Sequence, residues 1–278
     1  MRRRFVQCDV FSAEALRGNG LAVVVDGDGL SDEVMQRFAA WTNLAETTFL
    51  QKPQDPKADY RIRIFTPSRE MPFAGHPTLG SCAVWLDAGG VPKQAGLVRQ
   101  ECVGGIVEID QTGPVPAFLA PVTLQQPMPD EDLQAIENAL GLDTERVVNT
   151  VRLNNGPIWN VLELASAADV LAVESARVRW PNFQSIGLIG AYPAGQDCEF
   201  EVRMLAPSSG MSEDPITGSL NAALAHWLQA QGRLAAPIVV GQGQKIGRLG
   251  RVFINPVGEG QVYIGGQTHI LIRGTVAL

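Results

Sequence analysis

An internal repeat is the feature of this sequence that most restricts its fold, because repeated segments fold into repeated structural units. Residues 61–67 (RIRIFTP) are echoed by residues 201–207 (EVRMLAP), at an offset of 140. Residues 76–81 (HPTLGS) are echoed by residues 214–219 (DPITGS), at an offset of 138. The two offsets predict that the intervening loop is two residues shorter in the second copy. Each copy holds a strand, a loop and a helix, which predicts a duplicated α+β fold with two similar lobes.

Length and composition are consistent with two globular domains. The chain has 278 residues, of which 45% are hydrophobic and 18% charged, and it has four cysteines. Disordered chains are less apolar, and disulfide scaffolds are shorter and richer in cysteine. At about 150 residues per domain, the length predicts two domains. We place the first lobe at residues 1–117, with residues 266–278 packing on it, and the second at residues 118–265; the proline-bearing residues 114–129 are the best linker candidate.

The charge of the chain argues against a nucleic-acid partner. The net charge is −7, and no basic stripe follows the cluster at residues 2–4, whereas phosphate binding needs a basic face. We expect no membrane partner either, because no run of about 18 apolar residues occurs. Residues 5–10 alternate in polarity, unlike a signal peptide, and the scattered cysteines favour reduced thiols, so we expect a cytoplasmic protein.

His76 and Asp214 each precede a proline, which favours the first turn of a helix because its φ angle is fixed. We therefore predict helices over about residues 77–86 and 215–231, with His76 and Asp214 at their N-termini. The first turn of a helix offers backbone N–H groups and a positive dipole end, and both favour anions. Two such helix starts that face each other would hold an anionic substrate between two titratable side chains.

Each of these residues has an alternative, structural explanation. Aspartate is a common N-cap residue, and His76 could be a hydrogen-bonded structural histidine. Gly75, and Gly218 with Ser219, leave bare backbone that a ligand could approach. A glycine inside a helix is costly, so Gly80 and Gly218 need a reason, and close helix packing is as good an explanation as a functional one. Two polar residues at equivalent points of a repeat favour a functional role over two independent caps.

Four segments, in the right order and spacing, carry a resemblance to a known family. They are residues 43–49 (NLAETTF), 63–67 (RIFTP), 72–80 (PFAGHPTLG) and 213–219 (EDPITGS). Over nearly the whole chain they resemble the PhzF-like isomerases of phenazine biosynthesis. The resemblance implies the diaminopimelate-epimerase fold, with two pseudo-symmetric lobes, each a sheet wrapped around a central helix, and the active site in the cleft between them. It also implies a homodimer.

The resemblance implies roles for particular residues. Glu46 is the main acid/base group, and His76 and Asp214 complete the catalytic set. The substrate-binding residues that it implies are Asn19, Gly75, Gly218 and Ser219. Related epimerases have a cysteine at each of the two helix starts, so a two-thiol racemase is disfavoured here.

The surroundings of two residues bear on this assignment. Glu46 is flanked by apolar residues, including Phe49, and a sheltered carboxylate makes a good general base; the alternative is an exposed glutamate at a strand start. Gly20 stands where the family usually has a proline. It predicts a more flexible early loop, and it puts the substrate preference in doubt.

The function that follows is a cofactor-independent isomerase. Glu46 would remove a proton from one carbon of a small anionic metabolite, of the dihydro-hydroxyanthranilate type, and return it to another. The alternatives are a racemase or epimerase acting on a small carboxylic acid, and a non-catalytic protein that binds a small anion on the same fold.

Other chemistry has little support in the sequence. No HxxxH or Cys/His cluster occurs, and residues 241–245 (GQGQK) lack the spacing of nucleotide-binding loops, so we expect no metal and no cofactor. We expect structural roles for His226 and His269, and a buried core thiol at Cys82.

Overall fold

The computed structural model describes residues 1–175, 185–206 and 213–278. They form two compact units, the first made of residues 1–119 and 265–278 and the second of residues 120–264. Within the described residues, every helix is too short or too polar to cross a lipid bilayer.

The first unit combines a mixed sheet with two helices. Its strands are β1 Arg2–Val10, β2 Asn19–Val24, β3 Glu46–Gln51, β4 Tyr60–Phe65, β5 Glu70–Met71, β6 Leu97–Cys102, β7 Gly105–Asp110, β8 Ala117–Leu119 and, at the end of the chain, β18 Thr268–Ala277. Its helices are α1 Asp32–Thr42 and α2 Gly75–Asp87.

The pairing of these strands places β2 beside β3. Strand β1 is antiparallel to both β18 and β2, β2 is parallel to β3, and β3 is antiparallel to β4. Strand β4 pairs antiparallel with β5 and parallel with β6, and β7 and β8 follow in antiparallel order. Because Leu21 lies opposite Glu46, the starts of β2 and β3 lie at the same edge of the sheet.

Helix α2 is the central helix of the first unit, and the sheet surrounds it. It packs against β1, β2, β3, β6, β8 and β18, and all residues from 75 to 82 are buried. At Gly80 a Cβ atom would lie 2.6 Å from Cδ2 of Leu21 and 2.9 Å from Cγ2 of Val10. Close helix packing therefore explains Gly80, and the predicted arrangement of a sheet around a central helix is confirmed.

The second unit has the same kinds of element. Its strands are β9 Leu124–Gln126, β10 Val147–Asn154, β11 Ile158–Leu164, β12 Ile186–Ala191, β13 Phe200–Leu205, β14 Glu213–Asp214, β15 Ile238–Gln242, β16 Gly250–Gly258 and β17 Gln261–Gly265, which reaches the boundary of the unit. Its helices are α3 Asp130–Leu140, α4 Ala167–Ala172 and α5 Gly218–Ala230, with short 3₁₀ turns at Thr144–Arg146 and Gln244–Ile246.

The second unit repeats the connectivity of the first, which confirms the predicted duplication. Strands β10 to β16 pair in the same order and the same directions as β1 to β7, including the two parallel pairs, β11 with β12 and β13 with β15. Helix α4 follows β11 as α1 follows β2, and α5 follows β14 as α2 follows β5. Helix α5 is buried along most of its length, as α2 is.

An arginine–glutamate pair before each central helix shows how the two units correspond. In the first unit the guanidinium of Arg63 donates two hydrogen bonds to Glu70, seven residues later. In the second unit Arg203 donates the same two hydrogen bonds to Glu213, ten residues later. The loop is therefore three residues longer in the second copy, and the prediction of a loop two residues shorter was wrong.

The start of each central helix follows at a constant distance from this glutamate. Helices α2 and α5 both have 13 residues, and their first residues, Gly75 and Gly218, come five residues after the glutamate of the pair. The second residues of the helices, His76 and Ser219, are therefore equivalent.

Asp214 does not lie at a helix start. It belongs to β14, and α5 begins at Gly218 with Thr217 as its N-cap residue. His76 does lie in the first turn of α2, as predicted. The alignment of Asp214 with His76 was wrong because it rested on the prolines that follow them. Pro77 lies inside α2, whereas Pro215 precedes the start of α5.

Two further sequence expectations concern Gly20 and Pro207. Gly20 lies within β2, opposite Asp9 of β1, so the segment expected to be a loop is a strand from Asn19 onward. Pro207, the last residue of the second repeat segment, lies outside the described residues.

Candidate active site

Glu46 and His76 come together in the first unit. Glu46 is the first residue of β3, and His76 is the second residue of α2. Oε2 of Glu46 lies 3.4 Å from Nε2 of His76, and the side chains are 17% and 4% exposed. The carboxylate is therefore sheltered rather than fully exposed, as its apolar neighbours in the sequence suggest.

Burial decides the charge of His76. Removal of the ring from water lowers the pKa of His76 to about 3; a hydrogen bond with the Gly20 backbone acts in the opposite direction but is the smaller effect. The imidazole is therefore neutral at pH 7, and its contact with Glu46 is not an ion pair. A neutral imidazole has one N–H donor and one nitrogen acceptor, so it can hydrogen-bond to a carboxylate or to a carboxylic acid.

Asn19 belongs to the same cluster. Its Nδ2 atom lies 3.4 Å from Nδ1 of His76, on the other side of the ring from Glu46. Asn19 begins β2, and only 2% of the residue is exposed. The structure thus brings together three of the predicted site residues, which are Asn19, Glu46 and His76, with Gly75 next in the chain.

Asp214 lies in a hydrogen-bonded cluster of the second unit. The Thr217 hydroxyl donates to Oδ2 of Asp214 at 2.6 Å, and Asp214 is 8% exposed. Gln242, at the end of β15, donates through Nε2 to the carbonyl oxygen of Asp214 at 3.2 Å and to the Thr217 hydroxyl at 3.0 Å. These bonds hold the segment between β14 and α5 in place.

Gly218 and Ser219 begin helix α5. The carbonyl oxygen of Ser219 accepts a 2.8 Å hydrogen bond from Nδ2 of Asn155, and Oδ1 of Asn155 accepts one of 2.9 Å from the Trp159 indole. Gly75 begins α2 in the same way. The backbone N–H groups in the first turn of a helix have no acceptor within the helix, so each of these starts can bind an anionic group.

Comparison with known proteins identifies the family. The family model described as phenazine biosynthesis-like protein, PhzC-PhzF, matches residues 8–274. The chain belongs to this family. The resemblance drawn from the four sequence segments is therefore confirmed.

Relatives match nearly the whole length of this chain. The protein named antisense-enhancing sequence 1 of Schizosaccharomyces pombe is 36% identical over 294 residues, which cover 97% of each chain. The trans-2,3-dihydro-3-hydroxyanthranilate isomerase of Pseudomonas aeruginosa is 36% identical over 276 residues, which cover 93% of this chain and 92% of that one. Several relatives carry the name isomerase, and the protein is an enzyme of the isomerase class.

A solved structure agrees with the fold. The crystal structure of a phenazine biosynthesis protein of the PhzF family from Bacillus anthracis gives a TM-score of 0.82 at 21% identity and covers 100% of both chains. The predicted fold class is therefore confirmed.

Gln242 was not among the residues predicted from the sequence. Its segment, residues 241–245, was judged only by its lack of the spacing of a nucleotide-binding loop. A different signal was available, since Gln242 ends the apolar strand β15 and is completely buried. A buried side-chain amide needs hydrogen-bond partners, so a glutamine in such a strand points to a polar cluster.

The remaining candidates make structural contacts. Nε2 of His269 lies 3.0 Å from the carbonyl oxygen of Ser12, and burial lowers the pKa of His226. Cys82 is a buried free thiol, which confirms the expectation, and this burial raises its pKa to about 12. Among the described residues, no three His, Cys, Asp or Glu side chains are grouped so that they could hold a metal ion.

Proposed function

We propose that this enzyme is a cofactor-independent isomerase that moves a proton between two carbons of a small carboxylate-bearing substrate of the dihydro-hydroxyanthranilate type. The observation that carries the proposal is the sheltered Glu46 carboxylate, 3.4 Å from a neutral imidazole. The Pseudomonas aeruginosa relative named for this reaction, 36% identical to the chain, supports the substrate class.

Glu46 is the group that carries the proton. In the first step its carboxylate removes a proton from a carbon that is acidified by conjugation with a carboxylate or an alkene. The electron pair of the broken C–H bond enters the conjugated system. In the second step protonated Glu46 returns the proton to a different carbon, and the double bond shifts. The cycle consumes no proton and no electron, so it needs no redox partner.

His76 assists Glu46 without competing for the proton. With a pKa of about 3, its ring stays neutral at the pH at which a carboxylate base works. An imidazolium at 3.4 Å would favour the carboxylate form of Glu46 and hinder its protonation. The neutral ring can hydrogen-bond to both forms, and so it leaves Glu46 able to gain and lose a proton.

We assign substrate binding to the two helix starts and catalytic assistance to Asp214. Gly75 in α2, and Gly218 and Ser219 in α5, are the residues to which we assign substrate binding, because the N–H groups in the first turn of a helix stabilise negative charge. Asp214, held in place by Thr217, acts on a polar substituent of the substrate.

Proton NMR in heavy water tests this proposal. Purified protein is incubated with trans-2,3-dihydro-3-hydroxyanthranilate and, separately, with a panel of small carboxylates. We expect the wild type to shift the double bond of one compound and to incorporate deuterium, and we expect the Glu46→Gln variant to be at least about a hundredfold slower. Glu33→Gln is the matched control, because Glu33 lies on α1 with 78% of its side chain exposed.

The other outcomes point to other functions. An undiminished rate in the Glu46→Gln variant would show that Glu46 is not the group that transfers the proton. Deuterium incorporation with inversion at a single carbon, and no shift of a double bond, would identify an epimerase. Binding of a carboxylate without exchange in any compound would favour an anion-binding protein.

A further inference from the structure

The amide of Gln242 has one orientation that satisfies its neighbours. Its Oε1 atom lies 3.1 Å from the backbone nitrogen of Thr217, whose N–H can only donate. Its Nε2 atom lies 3.2 Å from the carbonyl oxygen of Asp214, which can only accept. Turning the amide over would bring donor against donor and acceptor against acceptor. Gln242 therefore donates through the nitrogen that faces Asp214 and Thr217.

This orientation decides where the hydroxyl proton of Thr217 points. Nε2 of Gln242 also donates to Oγ1 of Thr217, at 3.0 Å. A hydroxyl group has a single proton, and Thr217 directs it to Oδ2 of Asp214, 2.6 Å away. Nδ2 of Asn221 donates to Oε1 of Gln242 at 3.0 Å, so both protons and both acceptor sites of the Gln242 amide are used.

The direction of this proton favours the charged form of Asp214. Oδ2 of Asp214 accepts the proton that Thr217 directs there, and a carboxylate oxygen accepts such a bond more strongly than the oxygen of a neutral acid does. The 2.6 Å separation of the two oxygens is that of a short O–H···O hydrogen bond.

We propose that Gln242 and Thr217 are positioning residues that hold Asp214 as an oriented carboxylate, so that Asp214 accepts a hydrogen bond or a proton from the substrate. This inference rests on the proposed function for the reaction in which Asp214 takes part.

In this relay, Gln242 directs the Thr217 hydroxyl to Asp214. Carbon-13 NMR of the Asp214 carboxyl group tests the relay without any substrate. The signal is assigned by its absence from the Asp214→Asn variant. Thr217→Val keeps the branched shape but removes the hydroxyl, and Thr217→Ser keeps the hydroxyl. We expect the Asp214 signal to titrate about one pH unit higher in Thr217→Val than in the wild type, and at the wild-type pH in Thr217→Ser. The adjacent ion pair of Arg203 with Glu213 is present in all these proteins.

Gln242→Met tests the first step of the relay. Methionine resembles glutamine in size but cannot donate, so the Thr217 hydroxyl is no longer directed to Asp214. We expect the Asp214 signal to titrate at higher pH in Gln242→Met as well. In the Thr217→Val background the same substitution should produce little further change, because Gln242 acts through Thr217.

Turnover gives the second measurement. With a compound that the wild type isomerises, we expect kcat to fall about tenfold in Thr217→Val with little change in KM, and to stay near the wild-type value in Thr217→Ser. Equal titration of Asp214 in the valine and serine variants would overturn the relay, whether or not any compound is isomerised. A shifted titration with no turnover of any compound would support the relay and contradict the proposed function.

Discussion

The guanidinium of Arg203 donates hydrogen bonds of 3.0 and 2.7 Å to the carboxylate of Glu213, and neither side chain is exposed to solvent. Arg203 also donates to the carbonyl oxygens of Val170 and Val173, at 3.0 and 2.6 Å. Because Glu213 immediately precedes Asp214, this buried pair holds the segment that carries the carboxylate of the proposed site.

Removing the charge of Glu213 should therefore destabilise the protein strongly. Glu213→Gln deprives the buried Arg203 of the carboxylate to which it donates two hydrogen bonds, and we expect a loss of about 3–5 kcal/mol in the free energy of unfolding. Glu70→Gln is the matched control in the first unit. Its partner Arg63 is partly exposed and also contacts Asp32, so we expect a loss of about 1 kcal/mol or less. Urea denaturation compares the two, and equal losses would contradict the prediction.

The neutral state of His76 predicts a stability that falls in acid. The unfolded chain binds a proton on this histidine at about pH 6.5, whereas the folded chain binds it only near pH 3. Protonation therefore favours the unfolded state as the pH falls from about 6.5 towards 3. Well below pH 6.5, His76 should reduce the free energy of unfolding by about 1.4 kcal/mol per pH unit.

Denaturation between pH 7 and pH 5 measures this effect. His76→Asn lacks the titrating group, so its stability should depend less steeply on pH than that of the wild type. Parallel curves for the two proteins would show that His76 is not the buried neutral group.

The packing at Gly80 should reverse the usual preference of helices for alanine. Alanine normally stabilises a helix interior by about 1 kcal/mol relative to glycine. Here the new methyl group would lie 2.6 Å from a methyl group of Leu21, so we expect Gly80→Ala to cost about 1–3 kcal/mol. Gly274→Ala is the control, because no atom lies within 4 Å of a Cβ there. A higher melting temperature for Gly80→Ala would contradict the packing described here.

The cysteines should react slowly while the protein is folded. All four are free and buried, and burial raises the pKa of Cys8 and of Cys82 to about 12. The thiolate is the reactive form, so a disulfide reagent that releases a coloured thiol should label these cysteines only as the chain unfolds. Four equivalents should react at once in denaturant. Rapid labelling of Cys8 or Cys82 in the native protein would be the contrary result.

The duplicated fold could be predicted because both copies of the sequence repeat show a strand, a loop and a helix in the same order. The cluster of Glu46 and His76 could also be anticipated, since each residue lies in a long family segment. Which residues of the two units are structurally equivalent could not be predicted from identical residues in the two repeat segments. The match of His76 with Asp214 depended on prolines, whereas the structural equivalence follows an ion pair whose two residues are seven apart in one unit and ten apart in the other.

Gln242 shows a different limit of sequence analysis. Its function depends on contacts with Asp214 and Thr217, which lie more than 20 residues earlier in the chain. Nothing in its immediate neighbours encodes those contacts. They arise because β15 pairs parallel with β13, and β13 in turn pairs with β14, the strand that carries Asp214.

The unequal loops distinguish insertions and deletions that this fold can tolerate from those that would disturb the site. The arginine and glutamate of the ion pair are seven residues apart in the first unit and ten apart in the second. In both units the central helix begins five residues after the glutamate. An insertion or deletion before the glutamate leaves the helix start in register, whereas one after it would displace Gly75 or Gly218. Among related proteins, differences in loop length should therefore lie before the glutamate. The loop can then change while the helix start keeps its position.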